Sequence, residues 1–177
     1  MHLALFNTAI GTCAVAWSDS GIFGLQLPER DSVATRARIL RRFADATESA
    51  TPPDVRRAID KVVALVAGGD IDLTGIPLDL SAITPFERRV YEIARQIPPG
   101  ETMTYGEVAT KLDDPTAARA VGQALGKNPV AIIVPCHRVL AAGGRIGGFS
   151  ANGGVATKRR LLAIEGALRP PPLFRSA

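Results

Sequence analysis

The sequence predicts an α/β N-terminal domain, a β-hairpin or small sheet with helices, joined to a mostly α C-terminal domain that carries a helix-turn-helix. Three observations predict it. The first 81 residues combine strand-like apolar runs with two amphipathic helix patterns. From residue 82 onward helix start signals crowd together and strand patterns become scarce. Charge changes at the same point: residues 1–81 hold eight Lys/Arg against ten Asp/Glu, a net of −2, and residues 82–177 hold thirteen against seven, a net of +6. The expected division is therefore 1–81 for a supporting domain with its linker, 82–170 for the second domain, and 171–177 for a tail.

In the first part, Cys13 to Trp17 and Ile22 to Leu27 are apolar runs separated by the turn-rich Ser18-Asp19-Ser20-Gly21, which reads as a β-hairpin. A helix is expected from about Ser32 to Phe43, then a polar break from Thr47 to Pro53. A second helix is expected from about Asp54 to Val66, where Val55, Ile59, Val62, Val63 and Val66 share one face and Gly68-Gly69 ends it. Ile71 to Ser81 alternates apolar and polar residues and reads as extended, an edge strand leading out of the domain.

The second part is punctuated by capping signals. Thr84-Pro85-Phe86-Glu87 is a capping box with proline at the first helical position, and Phe86, Val90, Ile93, Ala94 and Ile97 mark one face as far as Pro98-Pro99-Gly100. Thr104-Tyr105-Gly106-Glu107 is a second capping box, opening a short helix to about Leu112. Asp114-Pro115 starts a third, alanine-rich helix to Leu125, which Gly126 can close. Two short helices joined by a tight turn describe a helix-turn-helix, and small side chains let the second lie close to a groove or to a protein neighbour. A basic half of this kind fits a polyanionic partner or a solvated surface.

After Asn128-Pro129 comes the apolar run Val130 to Val134, read as a core strand, and directly after it Pro135-Cys136-His137-Arg138-Val139. A thiol behind a proline and a core segment is held in place, and an imidazole and cations nearby favour its thiolate form. Cys13, inside a strand pattern, reads as an inert core thiol. A structural zinc site would consume both cysteines and both histidines in a spacing that fits no zinc motif, so no metal is expected. No secretion signal or membrane-length apolar run is present, which makes the cytoplasm the expected compartment and a Cys13–Cys136 disulfide unpromising.

The Pro135-Cys136-His137-Arg138-Val139 run resembles the active-site signature of the O6-alkylguanine-DNA alkyltransferases, also called methylated-DNA–protein-cysteine methyltransferases. The similarity extends from about Thr84 to Gly166 and includes Ala118-Arg119-Ala120-Val121-Gly122, Asn128-Pro129 and the glycine-rich stretch near Phe149. In the N-terminal half it rests on Ile10-Gly11-Thr12 and the strand pattern that follows.

The resemblance implies a monomer that needs no cofactor and binds duplex DNA in the minor groove through a helix-turn-helix of winged-helix type. It transfers an alkyl group, chiefly methyl, from O6 of a flipped guanine to Cys136 in a single turnover. Residue by residue, it implies His137 as a water-linked base, Glu165 as the carboxylate that orients it, and Asn128 as the hinge after the recognition helix. Tyr105 assists flipping and bonds the base, and Arg119 fills the vacated stack. Ala118 and Gly122 face the groove, Lys127 and Arg138 add DNA contacts, and Val139, Phe149 and Ser150 line the lesion pocket. One stretch departs from the family pattern: Ala151-Asn152 lengthens the loop between the aromatic and the glycine pair by two residues, and the aromatic is phenylalanine where some members have tyrosine. Two other functions compete: a non-catalytic protein that binds alkylated DNA, which Cys136 argues against, and a helix-turn-helix DNA-binding regulator, which has no use for the cysteine motif. A cysteine hydrolase would need an oxyanion hole and substrate groove for which the sequence gives no sign.

Overall fold

The computed structural model describes residues 1–168. The tail expected over 171–177 lies outside them. Strands β1 (His2–Thr8), β2 (Gly11–Ser18) and β3 (Gly21–Gln26) form an antiparallel meander, and β4 (Thr47–Glu48) adds a short parallel edge, giving the order β3-β2-β1-β4. The expected hairpin is β2–β3. β1 was not anticipated, although its register pairs Leu3 with Ala16 and Phe6 with Cys13.

The unbroken apolar run Cys13 to Trp17 is explained by cover on both faces of the sheet. Leu3, Ala14 and Ala16 pack against Ile39 of α1 (Ser32–Arg42), while Cys13, Val15 and Trp17 belong to the large core shared with α2 (Pro53–Val66) and the C-terminal helices. A strand buried on both sides has no reason to alternate.

Ile71 to Ser81 does not become a strand. It touches the β3 edge at one bridge, Ile22 with Leu78, through Ile22 N–H to Pro77 O (3.1 Å) and Asp79 N–H to Ile22 O (3.0 Å). Gly21 allows this approach: its φ is +135°, and a Cβ there would lie 2.8 Å from the Pro77 carbonyl oxygen. The rest of the segment is tied down by Arg95, whose guanidinium donates to the carbonyls of Leu73, Thr74 and Ile76.

In the C-terminal part, α3 (Pro85–Arg95), α4 (Tyr105–Lys111) and α5 (Ala118–Gly126) follow each other, and both expected capping boxes form. A single 3-10 turn, Pro115–Ala117, precedes α5, so the third helix starts later than Pro115. The Tyr91 hydroxyl, buried between α3 and α5, donates to Ala124 O at 3.0 Å. β5 (Met103–Thr104) and β6 (Val139–Leu140) pair in parallel, and α6 (Val155–Ile164) closes the described chain. Among the described residues, no helix is long and apolar enough to cross a membrane.

Candidate active site

The segment read as a core strand is a compact loop. Ile133 N–H bonds to Ala131 O and Cys136 N–H to Val134 O, two i to i+2 closures, with Ile132 at φ +70° and Pro135 at φ −82°, ψ 64°. These are γ-turns, the first of the rare positive-φ kind. A β-branched residue there costs on the order of 1–3 kcal/mol, so the surroundings must enforce it. They do so through Asn128: its side-chain amide donates to Val134 O (2.8 Å) and its oxygen accepts from Val130 N–H (2.9 Å), bracketing both ends of the loop. Leu25 N–H donates to Pro129 O (2.8 Å) and Leu25 bridges Val130, so β3 of the N-terminal sheet holds the same loop from outside.

This scaffold delivers Cys136 to the first position of a 3-10 turn (Cys136–Arg138), as a free, buried thiol. Burial pushes its pKa up. The Asn128 amide, the Lys158 ammonium and the backbone N–H groups of Cys136 and His137 pull it back down. The thiol is thus protonated at rest and surrounded by groups that stabilise its anion.

His137 is buried beside it. Its Nε2 lies 2.9 Å from Glu165 Oε1, while Nδ1 has no hydrogen-bond partner among the described residues. A carboxylate on Nε2 selects the tautomer that carries its proton there and leaves the Nδ1 lone pair free. Burial lowers the His137 pKa against the opposing pull of Glu165, so the ring is a neutral base. Glu165 also takes Arg138, with Nε to Oε2 at 2.8 Å and Nη2 to Oε1 at 2.9 Å, and these contacts with His137 and Arg138 override the upward push of burial to hold its pKa at about 2.

Arg138 corrects an expectation. Its side chain is 5% exposed, and three of its five N–H groups go to Glu165 and Ile97 O, so it stands inside the fold and not on the surface. Val139, expected in the wall of the lesion pocket, is fully buried in β6 and is not among the residues that line the cavity at Cys136; its carbonyl accepts from Lys158 Nζ at 2.6 Å.

Cys136 opens onto a cavity of about 410 Å³ that Asn128, Phe149 and Ser150 also line. Tyr105 stands outside that lining. Its ring lies 5.8 Å from the Lys158 ammonium and packs so closely on the Gly147 and Gly122 backbones that a Cβ at Gly147 would lie 3.3 Å from it. Burial, and secondarily the Cys136 charge, raise the Tyr105 pKa, so the hydroxyl keeps its proton. On α5, Arg119 and Gln123 are exposed, Ala118 and Gly122 half-buried, and Val121, Ala124 and Leu125 face the core. Lys127 is 73% exposed and pairs with Glu87 at 3.3 Å. Cys13 is an unreactive core thiol, pushed up to about 12 by burial.

Sequence reasoning missed two residues. Lys158 is fully buried between Tyr105 and Val139 O, and helical spacing held the signal: Lys158, Leu161, Leu162 and Glu165 recur at i, i+3, i+4 and i+7, one inward face. Arg42 reaches from α1 to Asn128 O (3.2 Å) and Lys127 O, a contact across more than eighty residues that no local pattern announces.

Comparison with known proteins places this arrangement. Residues 85–167 match the family model "6-O-methylguanine DNA methyltransferase, DNA binding domain". A methylated-DNA–protein-cysteine methyltransferase of Mycobacterium tuberculosis is 41% identical over 158 residues, covering 88% of this chain and 93% of the relative. One from Methanothermobacter thermautotrophicus is 32% identical over 86% of this chain and 78% of its own length. Among solved structures, Mycobacterium tuberculosis OGT in complex with DNA superposes with a TM-score of 0.77 at 36% identity, covering 94% of both chains. The O6-methylguanine-DNA methyltransferase of Pyrococcus kodakaraensis gives 0.71 at 30% identity, covering 93% of this chain and 99% of that one. With such similarity along nearly its whole length, the chain belongs to the methylated-DNA–protein-cysteine methyltransferase family.

Proposed function

We propose that this protein repairs DNA by direct reversal, moving an alkyl group, chiefly methyl, from O6 of guanine onto Cys136. The observation that carries the reading is a buried thiol next in sequence to a neutral His137 whose free Nδ1 is the only uncommitted nitrogen of its ring. The thiol proton passes to that nitrogen, directly or through one water, and Glu165 stabilises the imidazolium that results. The sulfur then attacks the alkyl carbon, an S–C bond forms, and the C–O6 bond breaks. The protonated Tyr105 hydroxyl supplies a hydrogen bond to the departing guanine, and Lys158 stabilises the thiolate before attack. The product is a thioether, a very poor leaving group, so one chain repairs one lesion.

A base inside a duplex cannot present its O6 substituent in line with a thiolate, so the nucleotide must be extruded into the cavity beside Phe149 and Ser150. In this reading α4 and α5 form the helix-turn-helix of a winged-helix domain that begins near residue 82. Ala118 and Gly122 approach the minor groove, Arg119 enters the stack in place of the extruded base, and Lys127 contacts the backbone nearby. The reading keeps the protein a cytoplasmic monomer.

Intact-protein mass after incubation with a duplex holding one O6-methylguanine tests it: the chain gains one methyl (~14 Da) on the Cys136 peptide and saturates at one per chain. Tight retention of the damaged duplex with no mass change would instead mark a lesion-binding protein. Arg119→Ala is expected to slow repair of duplex DNA by roughly a hundredfold, the scale of a few kcal/mol of extrusion energy, while reaction with free O6-benzylguanine changes little. Equal losses on both substrates would refute a flipping role.

A further inference from the structure

The cavity at Cys136 has a second wall, supplied by α1 of the N-terminal part through Arg38, Arg41 and Arg42. α1 carries four arginines and no acidic residue, inside a stretch whose overall charge is negative. Their surroundings differ. Arg36 pairs with Glu48, and Arg42 is spent on the carbonyls of Lys127 and Asn128, which pins the end of α1 to the turn after α5. Arg38 has only a loose partner, Glu29 at 3.9 Å, and its side chain is 52% exposed. Arg41 is exposed and has no ion pair among the described residues. Two guanidinium groups therefore stand at the cavity mouth, on a helix fixed to the reactive loop by a third.

A nucleotide that enters with its base toward Cys136 leaves its flanking phosphates at that mouth. α5 offers little to hold them, because Arg119 is its single cation and is occupied in the stack. We propose that Arg38 and Arg41 clamp the phosphates flanking the extruded nucleotide, making the N-terminal helix α1 a second DNA-contacting element. The proposal rests on the reading of Cys136 as acceptor from a flipped base. Arginine suits the task, since its planar fork meets phosphate oxygens in pairs. Glu29 lies in the same wall but is already engaged by Gln26 at 3.4 Å, and Arg38, Arg41, Arg42 and Lys127 outweigh it.

The test is the double variant Arg38→Ala, Arg41→Ala in the full chain, compared with wild type on duplex DNA containing O6-methylguanine and on free O6-benzylguanine, which has no phosphate. Duplex affinity should weaken and the slope of log K against log salt should become shallower by about 2, one for each lost contact. Between about 50 and 200 mM salt the variant then loses roughly tenfold less affinity than wild type. Labelling of Cys136 by the free base should keep its wild-type rate. Coincident salt slopes would overturn the clamp, and so would an equal loss on the free base, which would make the arginines shapers of the cavity. If wild type itself is not labelled at Cys136, the acceptor reading falls and the clamp with it. Labelled wild type with coincident slopes removes the clamp alone.

Discussion

Cys136→Ala is expected to abolish methyl transfer while leaving DNA binding intact. The substitution removes one sulfur from a site whose scaffold does not depend on it: the loop is bracketed by Asn128, the His137–Glu165–Arg138 network is closed without the thiol, and α5 lies elsewhere. Loss of a small buried group of this size costs about 1 kcal/mol of stability, too little to unfold the chain. Mass spectrometry should find no alkylated protein after incubation with the damaged duplex, while electrophoretic retardation of the same duplex persists. Alkyl transfer to any other residue of the variant, Cys13 included, would end the case for Cys136 as acceptor.

Glu165 carries the second large effect, on stability and chemistry together. Its side chain is 3% exposed and satisfies a guanidinium that is itself 5% exposed. Glu165→Ala leaves Arg138 as an uncompensated buried charge, a loss on the order of 3–5 kcal/mol. The pH dependence follows from the carboxyl pKa, about 2 in the fold against an ordinary 4.5. A depressed pKa means that folding favours the ionised form. The stabilisation is complete above about pH 5 and drains away as the pH falls toward 2. Its size is about 3 kcal/mol at neutral pH. Urea denaturation at a series of pH values should show wild-type stability falling over that window and Glu165→Gln falling less. The Gln variant should also transfer methyl more slowly at neutral pH, because His137 loses the carboxylate that supports its basicity. Parallel stability curves for the two proteins would show that the ion pair does not set the acid limb.

Much of the C-terminal part was legible in the sequence because its signals are local. Thr84 with Glu87 and Thr104 with Glu107 declare helix starts within four residues, and the structure forms both boxes. The cysteine motif is likewise a run of five adjacent residues, and proximity in sequence there is proximity in space. Where local pattern misled, a long-range partner had taken over. Val130 to Val134 carries strand-like residues, yet Asn128 and Leu25 impose turns on it. Ile71 to Ser81 alternates like a strand, yet Arg95 claims its carbonyls.

By itself, then, the sequence determined the helical layout of residues 84–126 and the family, and it singled out Cys136 and His137 as the candidate thiol and base. Only the tertiary structure decided that Arg138 is buried against Glu165, that Lys158 is buried beside Tyr105, and that α1 supplies three arginines to the wall around Cys136. The physical reason is shared by all three. A charged side chain on a helix or turn is equally compatible with water, a buried partner or a ligand, and composition does not distinguish them. The choice is made by which carbonyls and carboxylates the fold brings within about 3 Å, and those come from far along the chain.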